Sequence, residues 1–540
     1  MIEFQYKLPS MNIGGPKKSG TYNNYEVAIP GVMTANDTRL GLFIYELRNE
    51  IARNRMLVFI DGKKLMVNKN WIRDHVHIMK GFKHWEYDLQ SFLDFIIFTQ
   101  REDGQFYELI KQYDDCHWQF VNPDCVVHYP EDNLTLVRLE LEADIEYLVV
   151  EGAMYLYRTT GDDVWLKKAL PHLEKGIEYM LSDEKRFDKE HGLIKRTFTI
   201  DTWDFTYGYS GMERRILPDS PMSIMHGDNT GVYQAMNQLA WFNRRLGNEE
   251  KAKYWEAKAQ VLKENIFKHL WNGKFFIHQL HLNHSGADDL ENDRLSLSNS
   301  YALNRGICTL QESSEIIKEY MRRRETTKFF SEWFSIDPPY ENWDGKKAGE
   351  YVNGAISPFT AGELAKGAFN NGFEEYGWDI IKRFMNLVER DGTVYFLYDV
   401  DSKPQPQGGP SAWGAAALLS AVDEGLFGIN DIGVNYDEIY FSPRLPVTEY
   451  TELRYFTGYE VNNTVVEAHY IIKDEGMRYD IHSPAKKIDC HIMLPKGKTA
   501  KKVLLNDKEI TFNKNKVFDS NYVDFTIGCA NKTKKIEIIF

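Results

Sequence analysis

The sequence predicts a mainly α fold, with helical hairpins closed into an α/α toroid and a C-terminal antiparallel β-sandwich. Three observations predict it. Between residues 36 and 430 apolar residues recur at helical spacing, in segments that stop at a glycine and restart on acids. After Gly428 the pattern changes to short β-rich runs separated by turn residues. The chain has 540 residues, too many for one ordinary core.

The elements follow in order. Residues 1–35 are rich in Gly, Pro, Asn and Ser and read as an extended lead-in that packs on the barrel or on a partner. A helix is expected over 38–56, after Asp37 as N-cap. MLVFIDGKKLMV (56–67) reads as a hairpin around its Asp-Gly turn. Residues 137–161 read as one long helix ending at Gly161, and 162–181 as a second that opens on two acids. The same grammar recurs around Gly247 and Gly372, giving αα-hairpins joined by tight turns. The hairpins are not identical repeats, which disfavours a fixed-period solenoid. The expected organisation is a lead-in (1–35), a catalytic α/α barrel (36–430) and a β-sandwich domain (431–540).

Composition narrows the function classes. The net charge of −14 argues against nucleic acid and anionic membrane as partners. No apolar stretch approaches the ~18 residues of a membrane span. Five cysteines without a CxxC spacing point to reduced thiols rather than a disulfide framework or zinc site. MIEFQYKLPSMNIGG lacks the pattern of a signal peptide, so a cytoplasmic location is expected. GxGxxG, HExxH and GxSxG patterns are absent, and neither cofactor nor metal is expected. Aromatic residues make up 14%, and their faces suit sugar rings as well as a large core.

Four polar and aromatic clusters precede predicted helices, where loops on a rigid scaffold carry function. WIRDH supplies Trp71 as a stacking floor and Arg73 with Asp74 as a grip for neighbouring hydroxyls. IDTWDFT places Asp201, Trp203 and Asp204 in an aromatic loop, a setting that raises a carboxyl pKa as a general acid requires. One of the two acids is expected to cap a turn. HGDN offers His226, Asp228 and Asn229 as caps or hydroxyl ligands. Glu350, Tyr351 and Asn353 precede one helix, while Asp399, Asp401, Gln407 and Trp413 lie on the loop before the last barrel helix. A second carboxylate is expected from this last region.

The order of these stretches resembles the six-hairpin, (α/α)6-barrel glycosidases and glycoside phosphorylases. WIRD is similar to the Trp-Arg-Asp motif of glucoamylase-type and cellobiose-phosphorylase-type enzymes. TWDF resembles the Gly-Trp-Asp motif of trehalases and the Asp-Trp-Asn-Asp motif of cellobiose phosphorylases. EYVNGAISPF resembles the Tyr-Gln-Asn-Gly-Gly-x-Trp-Pro stretch of the phosphorylases, with Ser357 in place of the Trp. SAWGAAALLSAVDEGLFGI followed by SPRLP resembles their last barrel helix and the start of the β-domain. The resemblance implies Asp204 as general acid, with Asp201 as the lesser candidate. It departs at Leu397-Tyr398-Asp399, where trehalase-like relatives have Glu-Tyr-Asp with the Glu as base. It departs again at Gly409-Pro410-Ser411, where the phosphorylases contact phosphate.

The expected activity is inverting hydrolysis of an oligosaccharide or small glycoside, with Asp204 as acid and Glu350 as first choice of base, ahead of Asp399 and Asp401. The alternatives are phosphorolysis on the same fold, a carbohydrate lyase, or a sugar-binding relic. The expected partner is a carbohydrate, and the lead-in would suit the arm of a homodimer.

Overall fold

The computed structural model describes residues 31–34 as backbone, and 39–112, 121–201, 213–283, 290–343 and 345–540. The Trp203 and Asp204 expectations lie outside the described residues.

The described helices are α1 (Arg39–Arg53), α2 (Ile72–Phe82), α3 (Ser91–Phe98), α4 (Ile145–Thr160), α5 (Asp163–Ser182), α6 (His226–Arg245), α7 (Glu249–Leu270), α8 (Ser298–Ala302), α9 (Leu310–Thr326), α10 (Pro358–Asn370), α11 (Glu374–Asp391) and α12 (Ala412–Ser420). Their ends follow local chemistry. The Asp162 carboxylate accepts from the Val164 and Trp165 amides at 2.9 Å and starts α5. Thr309 and Glu312 form a capping box on α9. Ser357 caps α10 and is followed by Pro358 at the first helical position. Gly161 and Gly392 end α4 and α11 with φ of 68° and 70°, a backbone that favours glycine.

Even-numbered helices pack in succession: α2 on α4, α4 on α6, α6 on α8, α8 on α10, α10 on α12, and α12 back on α2. Odd-numbered helices pack outside this series: α5 on α4 and α6, α7 on α6, α11 on α10, and α1 on α12 and α2. α10 and α12 approach so closely that a Cβ at Gly362 would lie 2.5 Å from the Ala417 carbonyl carbon.

Two expectations are corrected. The helix read over 137–161 begins at Ile145, and Leu134–Val137 is a strand. HGDN and WIRDH, read as lying before helices, form the first turns of α6 and α2. The hairpin runs Arg55–Ile60 to Lys63–Asn68 with Asp61 and Gly62 both at positive φ, as a type I′ turn requires.

The C-terminal region forms two sheets from strands β2 (Ile429–Asp431), β3 (Glu438–Phe441), β4 (Glu452–Tyr459), β5 (Thr464–Lys473), β6 (Gly476–His482), β7 (Lys487–Met493), β8 (Lys502–Leu505), β9 (Lys508–Ile510), β10 (Asn513–Val517), β11 (Ser520–Ile527) and β12 (Lys534–Ile539). Strand β1 (Gly31–Thr34) adds itself to the edge of one of them. One sheet has the order β1-β4-β5-β6-β12-β8-β9, the other β2-β3-β7-β11-β10. Pairing is antiparallel except between β3 and β7, which run parallel and depart from the expected pattern. The alternating burial of β4 and β6 reflects the period-2 pattern of their sequences.

This β-rich part meets the C-terminal ends of the inner helices. The Glu460 amide donates to the His84 carbonyl at 3.0 Å, and the Asn435 amide to the Arg158 carbonyl at 2.7 Å. The N-terminal ends of α2, α4, α6 and α8 therefore lie at the far end. No helix among the described residues is long and apolar enough to cross a membrane.

Gly362→Ala is expected to lower stability by about 1–3 kcal/mol through overpacking of α10 against α12. Thermal or denaturant unfolding of the variant checks this, and an unchanged midpoint would show that the two helices can separate at no cost.

Candidate active site

The first turns of α2, α4 and α6 bring a line of alternating charges together. The acids Glu140, Glu142, Asp144 and Glu146 lie on the turn that leads into α4 and on its first residues. Arg73 donates to both oxygens of Asp144, at 2.8 Å to Oδ1, and to Glu142 Oε2. Arg196 donates to Glu142 at 3.2 Å and lies 3.5 Å from Asp228. Arg138 binds Glu108 at 2.8 Å and Glu146 at 3.2 Å. These groups are almost wholly buried. Bidentate guanidinium–carboxylate pairing is the geometry that tolerates such burial.

Burial governs the titration of this cluster. It pushes Asp228 up to about 7, an effect that Arg196 only partly offsets. Among the described residues, neither carboxylate oxygen of Asp228 accepts a hydrogen bond. It also raises Glu108. Asp144 goes the other way: burial would raise it, but Arg73 outweighs that and holds it below the usual carboxylate value. Two carboxylates in one buried cluster are thus driven apart in protonation, an arrangement found where acid and base roles are divided.

A second cluster forms at the starts of α6 and α8. Asp201 sits at a φ of 52° and accepts from the Ser298 hydroxyl and, at 3.2 Å, from the Ser298 amide. It caps α8 across the fold. The Asp201 amide donates to His278 Nε2 at 2.9 Å. Burial would raise the Asp201 carboxyl, but the histidines beside it and the Ser296 and Ser298 hydroxyls bring it to about 2. Burial lowers His226 to about 4, so its ring is neutral at pH 7 beside Ser296 at 2.8 Å. Next to it, Glu291 accepts from Tyr340 at 2.6 Å and from Arg294 at 2.8 Å. Phe198 packs on Trp343, Tyr340 and His281, giving the apolar setting expected of the loop that leads to Asp201.

The other expected site residues take different places. Arg73 pairs with Glu142 and Asp144 rather than gripping substrate together with Asp74, whose pKa is raised by burial. Trp71, half-buried, bridges to Leu109. Asn229 is a clamp: its amide bonds the Ile194 backbone at 2.8 and 3.0 Å and the Met225 carbonyl at 2.8 Å. Asn353 clamps the Tyr340 backbone in the same way. Trp413 is stacked between His77 and Phe359 inside the inner helices, not presented as a floor for sugar. Glu350 is exposed and accepts from the Lys347 amide at 2.9 Å. Asp399 accepts from the Asp401 and Lys403 amides and shapes its own loop. Gln407 is exposed, whereas the neighbouring Gln405 ties Gly349 and Tyr351 to this loop. Tyr351 is held there at a φ of 47°.

Sequence reasoning missed Glu142, Asp144, Arg196, His278 and Glu291. For the first two the signal was present. Four acids within seven residues, from Glu140 to Glu146, are too many for the interior of a buried helix unless they have charged partners.

A trehalase family profile matches residues 227–344, from the first turn of α6 onward. No curated protein matches the sequence. Among solved structures, the α-L-rhamnosidase of Dictyoglumus thermophilum superposes with a TM-score of 0.61 at 12% identity, over 95% of this chain and 50% of that one. A rhamnosidase of Bacillus sp. GL1 superposes with a TM-score of 0.59 at 14% identity, over 88% and 43%. The Streptomyces avermitilis α-L-rhamnosidase, solved with L-rhamnose, gives 0.59 at 12%, over 95% and 42%. This chain spans half or less of the length of these rhamnosidases, and the likeness is one of fold.

Two measurements check the charged cluster. Arg73→Gln leaves Glu142 and Asp144 without their main partner and is expected to cost about 3–5 kcal/mol; denaturant unfolding with no loss would refute the pairing. The folded-state pKa of Asp228, about 7, lies above its ordinary 3.8, so the folded protein holds this proton more tightly. Its ionisation therefore costs stability as pH rises from about 4 through 7. The melting temperature of Asp228→Asn relative to wild type should rise between about pH 5 and about pH 8, and a flat difference would contradict the shift.

The trehalase match over 227–344 and the shared fold support a likeness to the six-hairpin glycosidase superfamily, without a single close family.

Proposed function

We propose that this chain is a glycoside hydrolase that cleaves an oligosaccharide or small glycoside with inversion. The helical part, 36–430, is read as an (α/α)6 toroid, and 431–540 as its β-domain. The succession of even-numbered helices, which returns from α12 to α2, supports the toroid. The observation that carries the function is the gathering of buried carboxylates, arginines and histidines at the N-terminal ends of α2, α4, α6 and α8. The trehalase match over 227–344 supports the same chemistry.

In this reading Asp204 protonates the leaving oxygen and Glu350 activates water from the opposite face of the sugar. Inversion requires the two carboxyls roughly 6.5–9.5 Å apart. Glu350 would have to exchange its bond to the Lys347 amide for one to water. A second reading assigns the acid to Asp228. It is favoured by the near-neutral carboxyl of Asp228 and its lack of hydrogen bonds among the described residues.

Asp204→Asn, Asp228→Asn and Glu350→Gln should be compared on a panel of aryl and natural glycosides, with product anomers followed by NMR. Loss of a general acid or base is expected to lower kcat by about 100- to 10,000-fold. A loss in Asp204→Asn with near-normal Asp228→Asn supports the first reading, and the reverse supports the second. Turnover that requires added phosphate would replace hydrolysis by phosphorolysis. Retention of configuration would remove the inverting mechanism.

A further inference from the structure

A cavity of about 690 Å³ opens at the other end of the inner helices, where α4, α6, α8 and α10 meet the β-rich part. Its size falls within the ~300–1,000 Å³ of small-molecule sites. It belongs to neither charged cluster. The rings that stack across α2, α10 and α12, His77 on Trp413 at 4.4 Å and Trp413 on Phe359 at 4.6 Å, do not line it.

The wall of the cavity is charged unevenly. Lys83, Arg158, Arg305 and Lys366 face it, against Glu424 and Asp431. Glu424 is bound by both lysines, Lys83 at 2.7 Å. Asp431 accepts from the Gly433 and Tyr436 amides. Arg305 is tied to the Gly227 carbonyl and the Thr230 hydroxyl, each at 2.8 Å. Arg158 differs from these groups. Its guanidinium rests over Trp241, 5.5 Å from the ring centroid, and attracts the Asp431 carboxylate only at longer range, since among the described residues it makes no side-chain hydrogen bond or close ion pair. A half-buried guanidinium left with all its donors open is matched to a carboxylate or phosphate.

Around Arg158 the wall is suited to a sugar ring. Tyr233 and Trp241 are half-buried and present ring surface. Gln234, Asn237 and Gln238 lie on the same face of α6; Asn237 Nδ2 already donates to the Tyr233 carbonyl at 2.9 Å, which leaves its Oδ1 as an acceptor beside Gln238 Oε1, buried without a donor. A hydroxyl-bearing ligand would satisfy them, where an apolar one would not.

We propose that this cavity binds a carbohydrate that carries a negative charge, a uronate or a sugar phosphate, with Arg158 on the anionic group and the α6 amides on ring hydroxyls. This site is independent of the hydrolysis reading, since it shares no residue with the acid and base assigned there.

The test is calorimetric titration of the full chain with glucuronate and with glucose 6-phosphate, using glucose and inorganic phosphate as controls. At least one charged sugar is expected to bind, and to bind more tightly than either control. Arg158→Gln should weaken it roughly tenfold or more, the scale of a lost charge-assisted hydrogen bond. Asn237→Asp, an exposed change that adds a negative charge to the wall, should also weaken it while the melting temperature is kept. Asp204→Asn should leave it unchanged, which separates this cavity from the proposed active site. The proposal is overturned if neither charged sugar binds, or if Arg158→Gln binds as wild type does. It is equally overturned if inorganic phosphate binds as tightly as glucose 6-phosphate, or if Asp204→Asn abolishes binding.

Discussion

The Arg73 guanidinium, held between Asp144 and Glu142, is the interaction on which the organisation of the far end depends. It ties the start of α2 to the start of α4. Through Glu142 it also reaches Arg196 and then Asp228 at the start of α6. The starts of three helices are thereby linked by charge, in addition to their apolar packing. Buried ions are costly to desolvate, and each must find its partner in good geometry. Apolar side chains of the same volume would satisfy the core, but they would not present ionisable groups to a cleft. The cluster supplies groups of both kinds: Asp144 kept ionised by its guanidinium, and Asp228 driven toward the neutral form by burial.

The two ends of the inner helices are built from different materials. At the N-terminal ends, arginine–carboxylate pairs and the Asp201 cap fix backbone and side chains together. His77, Trp413 and Phe359 stack where α2, α12 and α10 face one another. At the C-terminal ends, the β-rich part covers α2 and α4 and leaves a polar cavity beside Arg158. The residues of the two charged clusters and those that line the cavity beside Arg158 are different sets.

The fold class was largely legible because helix periodicity and stop signals are local. Gly161 and Gly372 follow helices for the reason that makes them readable, a positive φ that costs glycine little. The Asp61-Gly62 turn was readable for the same reason. The site was less legible. Trp413 and Asn353 are residue types that suit either sugar or core, and only neighbours decide between the two. Arg73 stands next to Asp74 in sequence, yet α2 turns its guanidinium toward α4. The acids from Glu140 to Glu146 were hidden in a run with enough apolar residues to pass for a helix.

The sequence by itself determined the helical hairpins, their caps and turns, and the change to β structure after Gly428. These depend on residues within a turn or two of one another. It also indicated that one of Asp201 and Asp204 caps a turn, without deciding which. Only the tertiary structure decided what Asp201 caps, since Ser298 lies 97 residues away. The same holds for which carboxylates share a guanidinium, and for which of them burial keeps protonated. Desolvation and ion pairing are set by neighbours from several helices at once, and no window of local sequence contains them.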